Sequence, residues 1–199
     1  MPGKLTGPIT GFTDRAKGKG VVSSSWLAQM GKGAAQMAGG GCLAANLSVA
    51  GFGNTADTGP DTLTSLILPP NTFDLVGRNL EIQAWGTTLG TVATRSVGVT
   101  WGMSPGSASI VAGPMTLTTS VVNNWLIVLT VFKQASNVQI GFATYELSAA
   151  GAAVSRIMNN YTAGSEVDTA AIIIGVTASV STSTANSVLC NGLAVYGFN

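Results

Sequence analysis

The chain has no histidine, only two cysteines and, in 199 residues, just nine basic and eight acidic side chains. Each shortage removes a class of function. Without histidine there is no imidazole general base, no imidazole ligand for zinc, and no Ser/His or Cys/His nucleophile pair. Cys42 and Cys190 are too few for a disulfide framework or a thiolate zinc site. In a chain without a visible secretion signal they read as two buried thiols in strands, with a bridge between the first and last strands as the alternative. The N-terminus shows no apolar run of signal-peptide type. The longest apolar stretches, WLIVLTVF (125–132) and AAIIIGV (170–176), fall well below the roughly 18 residues that span a bilayer as a helix, so no membrane partner is expected.

Charge is the most informative shortage. Charged residues make up 9% of the chain and hydrophobic residues 46%, against a usual charged fraction of about 25%. A compact fold of this mass exposes about 8,700 Å², which leaves about one charge per 500 Å². Short neutral side chains, 41 Ser and Thr with 12 Asn, must cover part of that surface. Neighbouring subunits are expected to cover much of the rest, because a monomer so poor in charge invites association. The net charge of +1 is also uneven: residues 1–41 hold five bases against Asp14, and residues 42–199 hold four bases against seven acids.

The first 41 residues carry ten glycines, including those of AKGKG (16–20) and AGGGC (38–42). That density opposes a packed core, because each glycine loses maximal backbone entropy on ordering. The segment therefore reads as an extended arm, 1–41, preceding a domain, 42–199. SSSWLAQM could start a short helix capped by Ser24 or Ser25. Lys4, Arg15, Lys17, Lys19 and Lys32 supply its basic character, and Trp26, Met30 and Met37 are apolar anchors with no local core to enter. These eight are the candidate partner-binding residues. A charge of +4 is far below the density that holds a genome, so a mildly acidic protein surface is preferred to nucleic acid as the partner.

From residue 42 the pattern is β. Expected strands are 43–52, 62–68, 79–88, 94–102, 115–121, 124–134, 137–147, 170–180 and 187–198, each rich in β-branched or aromatic residues and bounded by Gly, Pro, Asn or Ser. Leu80, Ile82 and Ala84 alternate with Glu81 and Gln83, and Val138, Ile140 and Phe142 alternate with Gln139 and Gly141, giving each strand one wet face. WLIVLTVF lacks alternation and should be covered on both faces, inside a sandwich or at a subunit contact. ASN (135–137) reads as a tight hairpin turn. VAGPM and TAGSEVD read as outer loops. The expected fold class is all-β, a jelly-roll-like β-sandwich preceded by an extended N-terminal arm.

No catalytic, cofactor-binding or metal site is expected. Gly102-Met103-Ser104-Pro105-Gly106 matches a G-x-S-x-G string but ends in a Pro-Gly turn and has no histidine partner. Asp57 with Asp61 and Glu166 with Asp168 are the nearest carboxylate pairs, and both lie in turn-like segments without an aromatic platform for a sugar. Calcium would need more oxygen ligands than either supplies. Asn46-Leu47-Ser48 and Asn160-Tyr161-Thr162 match the glycosylation sequon and read as chance.

TASVSTSTANSVLCNGLAVYGFN (177–199) resembles the closing segment of small β-rich virion proteins of tailed phages, a Ser/Thr/Ala/Asn turn before a final strand. LEIQAWGTTLGTVATRSVGVTWG (80–102) resembles their paired strands, with an I-x-x-W-G phrase, a short loop and a V-x-V-x-x-G strand. The resemblance implies a jelly-roll domain, usually a homotrimer, on the outside of a bacteriophage particle. Fibres usually place a shaft of repeats or heptads before the knob, and none is present. An arm of about 40 residues can reach over about 100 Å. The resemblance and the arm together imply a non-enzymatic capsid cement or decoration protein, partnered by itself and by the major capsid protein, assembled in the host cytoplasm. A receptor-binding tip of a tail or head fibre, a single-jelly-roll capsid protein and a carbohydrate-active enzyme are the alternatives, in that order.

Overall fold

The computed structural model describes residues 41–89, 93–102, 108–117, 122–149 and 155–198, without the side chains of 108–111, 149 and 155–163. Ten strands run in order: β1 Gly41–Gly53, β2 Asp61–Leu68, β3 Asn79–Thr88, β4 Arg95–Gly102, β5 Ala108–Leu117, β6 Asn123–Ala135, β7 Val138–Ala149, β8 Ser155–Gly164, β9 Ile172–Val180 and β10 Val188–Phe198. They form a six-stranded sheet, β1-β10-β3-β6-β7-β8, and a four-stranded sheet, β2-β9-β4-β5. Every pairing is antiparallel.

Without the β7–β8 hairpin, two four-stranded sheets remain, β1-β10-β3-β6 and β2-β9-β4-β5. Numbered one to eight along the chain, these strands run 1-8-3-6 and 2-7-4-5, so the first pairs with the last and the chain crosses repeatedly between sheets. That is the strand order of a jelly roll. The expected all-β sandwich is therefore the fold, and β7–β8 is an addition that widens one sheet.

Alternation explains how the sheets meet. Leu80, Ile82 and Ala84 of β3 point inward with Trp125, Ile127, Leu129 and Val131 of β6, opposite Val97, Val99 and Trp101 of β4 and Ile174 and Val176 of β9, and all are buried. Phe73, from the loop before β3, meets Trp101 edge to face, with ring centroids 5.3 Å apart. Two close approaches need glycine. A Cβ on Gly86 would lie 1.9 Å from the Leu189 carbonyl oxygen, and one on Gly192 would lie 2.1 Å from Cζ2 of Trp85. Gly192 adjoins a register shift between β10 and β3, and the Trp85 ring occupies the space that a side chain there would need.

Several expectations change. β8 falls where the sequence pattern predicts no strand. VAGPM is part of β5, Ala108–Leu117, and residues 118–121 of the expected strand lie outside the described residues. Its Gly113–Pro114 peptide bond is cis, and Pro114 is tolerated because β5 is an edge strand interrupted by a register shift opposite Val97 and Val99. The two-residue turn after Ala135 is as expected, with Asn137 at φ 53°, a left-handed conformation Asn adopts readily. β7 is inverted: Gln139, Gly141, Ala143 and Tyr145 face the core, and Val138, Ile140 and Phe142 face outward.

Candidate interaction surface

Burial redistributes the sparse charge. Of the four bases in 42–199, Arg95 is wholly buried, its Nε donating to the Ala93 carbonyl at 3.3 Å and its guanidinium also to the Leu89 carbonyl. Burial pulls its pKa below the ordinary value. Lys133 is equally enclosed, its ammonium against the Asp168 carboxylate. Burial pushes the Lys133 pKa down while the charge of Asp74 opposes the shift. Arg78 pairs with Asp74 at 3.0 Å. Asp57 and Asp74 are exposed, and Asp61, Glu81, Glu146 and Asp168 are partly so. Among the described side chains the surface is thus more acidic, and emptier of charge, than the composition states.

The end of the sandwich at the β6–β7 turn is tightly cross-braced. The Gly77 amide donates to the Lys133 carbonyl and the Lys133 amide to the Arg78 carbonyl, each at 2.9 Å. The Asp168 amide donates to Oδ1 of Asn137 at 3.0 Å, and the Asn137 amide donates to Oδ2 of Asp168 at 3.2 Å. The Asn71 amide reaches the Asp168 carbonyl at 3.0 Å. Gln139 donates from Nε2 to the Glu166 carbonyl and accepts the Glu166 amide at Oε1, each at 2.8 Å, which satisfies its buried amide. Three segments far apart in sequence are held as one platform, and it presents Leu75, Val76, Phe132, Val138 and Val167 to solvent.

That platform runs into the outer face of the six-stranded sheet. Ladder register places Trp85 beside Leu126, Gln83 beside Val128, and Asn79 beside Phe132, which is itself beside Ile140. Thr130 stands between Glu81 and Phe142. Glu81 accepts a 2.6 Å bond from Nε2 of Gln83, and Glu146 lies in register with Arg156. WLIVLTVF therefore has one face in the core and the other, Leu126, Val128, Thr130 and Phe132, only half covered. Among the described residues no element packs over that second face. A smaller apolar group, Leu43, Leu47 and Val49 on β1 and Ile67 on β2, lies on the edge strands of the two sheets, which Asn46 and Thr64 join by a 2.7 Å side-chain bond.

The eight arm residues, Lys4, Arg15, Lys17, Lys19, Trp26, Met30, Lys32 and Met37, lie outside the described residues, as do residues 103–106 of the G-x-S-x-G string. The carboxylate pairs have structural partners. Asp57 and Asp61 accept from the Thr55 hydroxyl at 3.1 and 2.8 Å, Asp61 also takes the Thr55 amide at 2.8 Å, and Asp57 takes the Gly59 amide at 2.9 Å. Glu166 is buried and Asp168 holds Lys133. Among the described residues no three His, Cys, Asp or Glu side chains gather as a metal site, and no helix is long and apolar enough to cross a membrane. Cys42 is exposed and Cys190 buried, both as free thiols. The β6 half of this face is the second face of WLIVLTVF that the sequence pattern expects to be covered, whereas the β7 half was missed, because Val138, Ile140 and Phe142 read as the apolar side opposite a wet Gln139 face.

No protein-family model matches the chain, and no curated protein matches it significantly. Among solved structures, it is weakly similar to a protein of unknown function from Shewanella oneidensis MR-1, at 11% identity and TM-score 0.37, over 90% of this chain and 95% of that one. It is also weakly similar to the VP2 subviral particle of infectious bursal disease virus, at 14% identity and TM-score 0.30, over 78% of this chain and 41% of that one. A further structure, of the Gx strain of that virus, aligns at 16% identity and TM-score 0.28, again over 78% of this chain and 42% of the other. Viral capsid proteins are thus among the weak structural neighbours. At these scores the likeness carries no weight for function, which rests on the strand order and the surface.

Proposed function

We propose that this chain is a non-enzymatic virion structural protein, a capsid cement or decoration protein that acts as a homo-oligomer, a trimer by its resemblance to phage proteins, on the outside of a bacteriophage shell. The observation that carries the reading is the surface just described. A jelly roll that buries Arg95 and Lys133 and leaves Leu126, Val128, Phe132, Ile140 and Phe142 outward has little charge to keep it apart from other proteins. The basic, glycine-rich segment 1–41 suits an acidic surface on a neighbouring subunit, and its length suits a junction between capsomers. Added apolar contact at each junction would strengthen the shell by about 25 cal/mol per Å², less the cost of ordering the segment.

Cryo-electron microscopy of purified particles tests this. Density for the chain at capsomer junctions is the expected result. Density at a tail tip would replace the reading with receptor binding, and a closed shell of this chain alone would replace it with a capsid protein.

A further inference from the structure

We infer that the outer face of the six-stranded sheet, centred on Val128 and Phe142 and running to Phe132 and Ile140, is the surface through which this chain meets a second copy of itself. The inference rests on the proposed self-assembly and assigns it a place on the fold.

The first argument is the inversion of β7. A strand with the pattern V-Q-I-G-F-A-T ordinarily turns Val, Ile and Phe inward, where burial is most favourable. Here the chain instead buries Gln139, and commits two backbone-matched hydrogen bonds with Glu166 to satisfying it, while Val138, Ile140 and Phe142 point away from the core. The same parity in β6 sends Leu126, Val128 and Phe132 outward. Two adjacent strands thus present their apolar side chains to the same side, in register, with Phe132 beside Ile140 and Thr130 beside Phe142.

The second argument is size. Strands about 4.8 Å apart and an i, i+2 repeat of about 6.7 Å make a patch three strands wide, across β3, β6 and β7, and five rows long about 500 Å² in area. Two copies meeting there would bury about 1,000 Å², the threshold for a specific interface, and the hairpin platform with Val138 and Val167 extends it.

The third argument is chemistry. The face carries aromatic and aliphatic groups with Thr130, Thr144, Asn79 and Gln83, and its two carboxylates are Glu81, which accepts from Gln83, and Glu146 in the row beyond Thr144. Interface cores are depleted in charge and enriched in aromatics in the same way. A nucleic acid, or a strongly basic or acidic partner, would find little there to pair with, whereas a second copy of this near-neutral face is matched to it.

The test uses the full chain and three charge insertions. Val128→Lys and Phe142→Lys place an ammonium in the middle of the face, and Thr182→Lys places the same charge in the exposed turn between β9 and β10. Sedimentation velocity over a dilution series should show a multimeric wild type, a Thr182→Lys variant like it, and both face variants dissociating at least tenfold more readily. Thr144→Cys supplies a second readout that does not depend on tolerance of lysine. Alkylation of the introduced thiol, followed by peptide mass spectrometry to separate it from Cys42, should slow at least tenfold in the multimer relative to the dilute chain. If the wild type is multimeric but the face variants keep its mass and the introduced thiol of Thr144→Cys labels at one rate throughout, the surface is wrong and self-assembly stands. If the face variants keep the wild-type mass but no longer attach to shells, the face belongs to the shell protein and the inference is overturned. A wild type that sediments as a single copy at all concentrations overturns self-assembly itself, and this inference with it.

Discussion

Replacing Asp168 by Asn should destabilise the protein far more than replacing its partner Lys133 by Met, although the two changes break the same ion pair. The Lys133 side chain is 0% exposed and that of Asp168 is 16% exposed. Asp168→Asn keeps the shape, and the bonds to the Asn137 side chain and amide, but leaves an ammonium enclosed without its carboxylate. Removing one member of a buried pair costs about 3–5 kcal/mol. The nearby charge of Asp74 offsets part of this, so a loss of about 3 kcal/mol is expected. Lys133→Met removes the buried charge and fills a similar volume, and the freed carboxylate of Asp168 is open enough to hydrate. That change should stay within about 1 kcal/mol of wild type, and can stabilise. In urea unfolding followed by tryptophan fluorescence, with a slope of about 2 kcal/mol/M, Asp168→Asn should lower the midpoint by about 1.5 M and the double variant should recover most of that loss.

The same variant has a pH signature. Burial already holds the Lys133 pKa below its usual 10.5, and loss of Asp168 deepens the shift. The folded state then gives up its proton at lower pH than the unfolded chain. Between the folded value and 10.5 the unfolded state holds more protons, so stability rises with pH. The deficit of Asp168→Asn should shrink from about pH 7 to about pH 10 and be absent from the double variant. A flat deficit, or a Lys133→Met variant as damaged as Asp168→Asn, would refute the reasoning, because either result would mean that the ammonium carries no desolvation penalty.

Burial raises the Cys190 thiol to about 12 from an ordinary 9.0, so at about pH 8 a thiol reagent should label only Cys42 in the folded protein and both cysteines in urea. The unfolded thiol ionises first, so stability should fall by about 1.4 kcal/mol per pH unit above about 9, a slope that Cys190→Ala should remove; labelling of both thiols in the native state would contradict this. Gly86→Ala drives a methyl into the Leu189 carbonyl, which is backbone and cannot rotate away, and should cost about 3 kcal/mol or more, whereas Gly192→Ala meets the Trp85 ring first, a side chain that can shift, and should cost about 1–3 kcal/mol with a visible change in tryptophan emission. Phe73→Ala removes the edge partner of Trp101 and should cost about 3–5 kcal/mol, with a diminished near-ultraviolet tryptophan signal; an unchanged spectrum would show that Phe73 does not fix that ring.

Strand existence was readable wherever β-branched runs met Gly or Pro punctuation. β3 has the expected limits, 79–88, because Leu80, Ile82 and Ala84 alternate without exception and Pro69 and Pro70 separate it from β2. β8 was hidden by composition: SRIMNNYTAG mixes one Arg and two Asn into a strand at the edge of its sheet, where period two is not enforced by a second neighbour. The facing of strands was harder than their existence. In β6 the inward positions 125, 127, 129 and 131 continue to Lys133, and in β4 the inward positions 97, 99 and 101 begin at Arg95. Parity alone would have placed both cations in the core. Hydrophobicity argued the other way, and it also misplaced Gln139, which follows Gly141, Ala143 and Tyr145 inward. A polar residue can follow parity into the core when a backbone or a countercharge is waiting for it, and those partners, Glu166 and Asp168, lie 27 and 35 residues away in sequence.

The parity of these three residues bears on the argument from charge. Nine bases and eight acids spread over the surface would already be sparse, but a count assumes that every charge faces water. Arg95 and Lys133 do not, and Lys133 takes Asp168 partly with it. In β6 and β7, the positions alternate to Lys133 and Gln139 face outward and hold Val128, Phe132, Ile140 and Phe142. One choice of register therefore removes a cation from the surface and puts apolar groups there. A fold selected for solitary solubility would gain from the opposite register in β7, with Phe142 in the core and Gln139 in water, whereas the observed register commits the Gln139 amide to the Glu166 backbone. The register observed is the favourable one only if something apolar meets the outer face, which is why the sedimentation of Phe142→Lys bears on the fold as well as on the assembly.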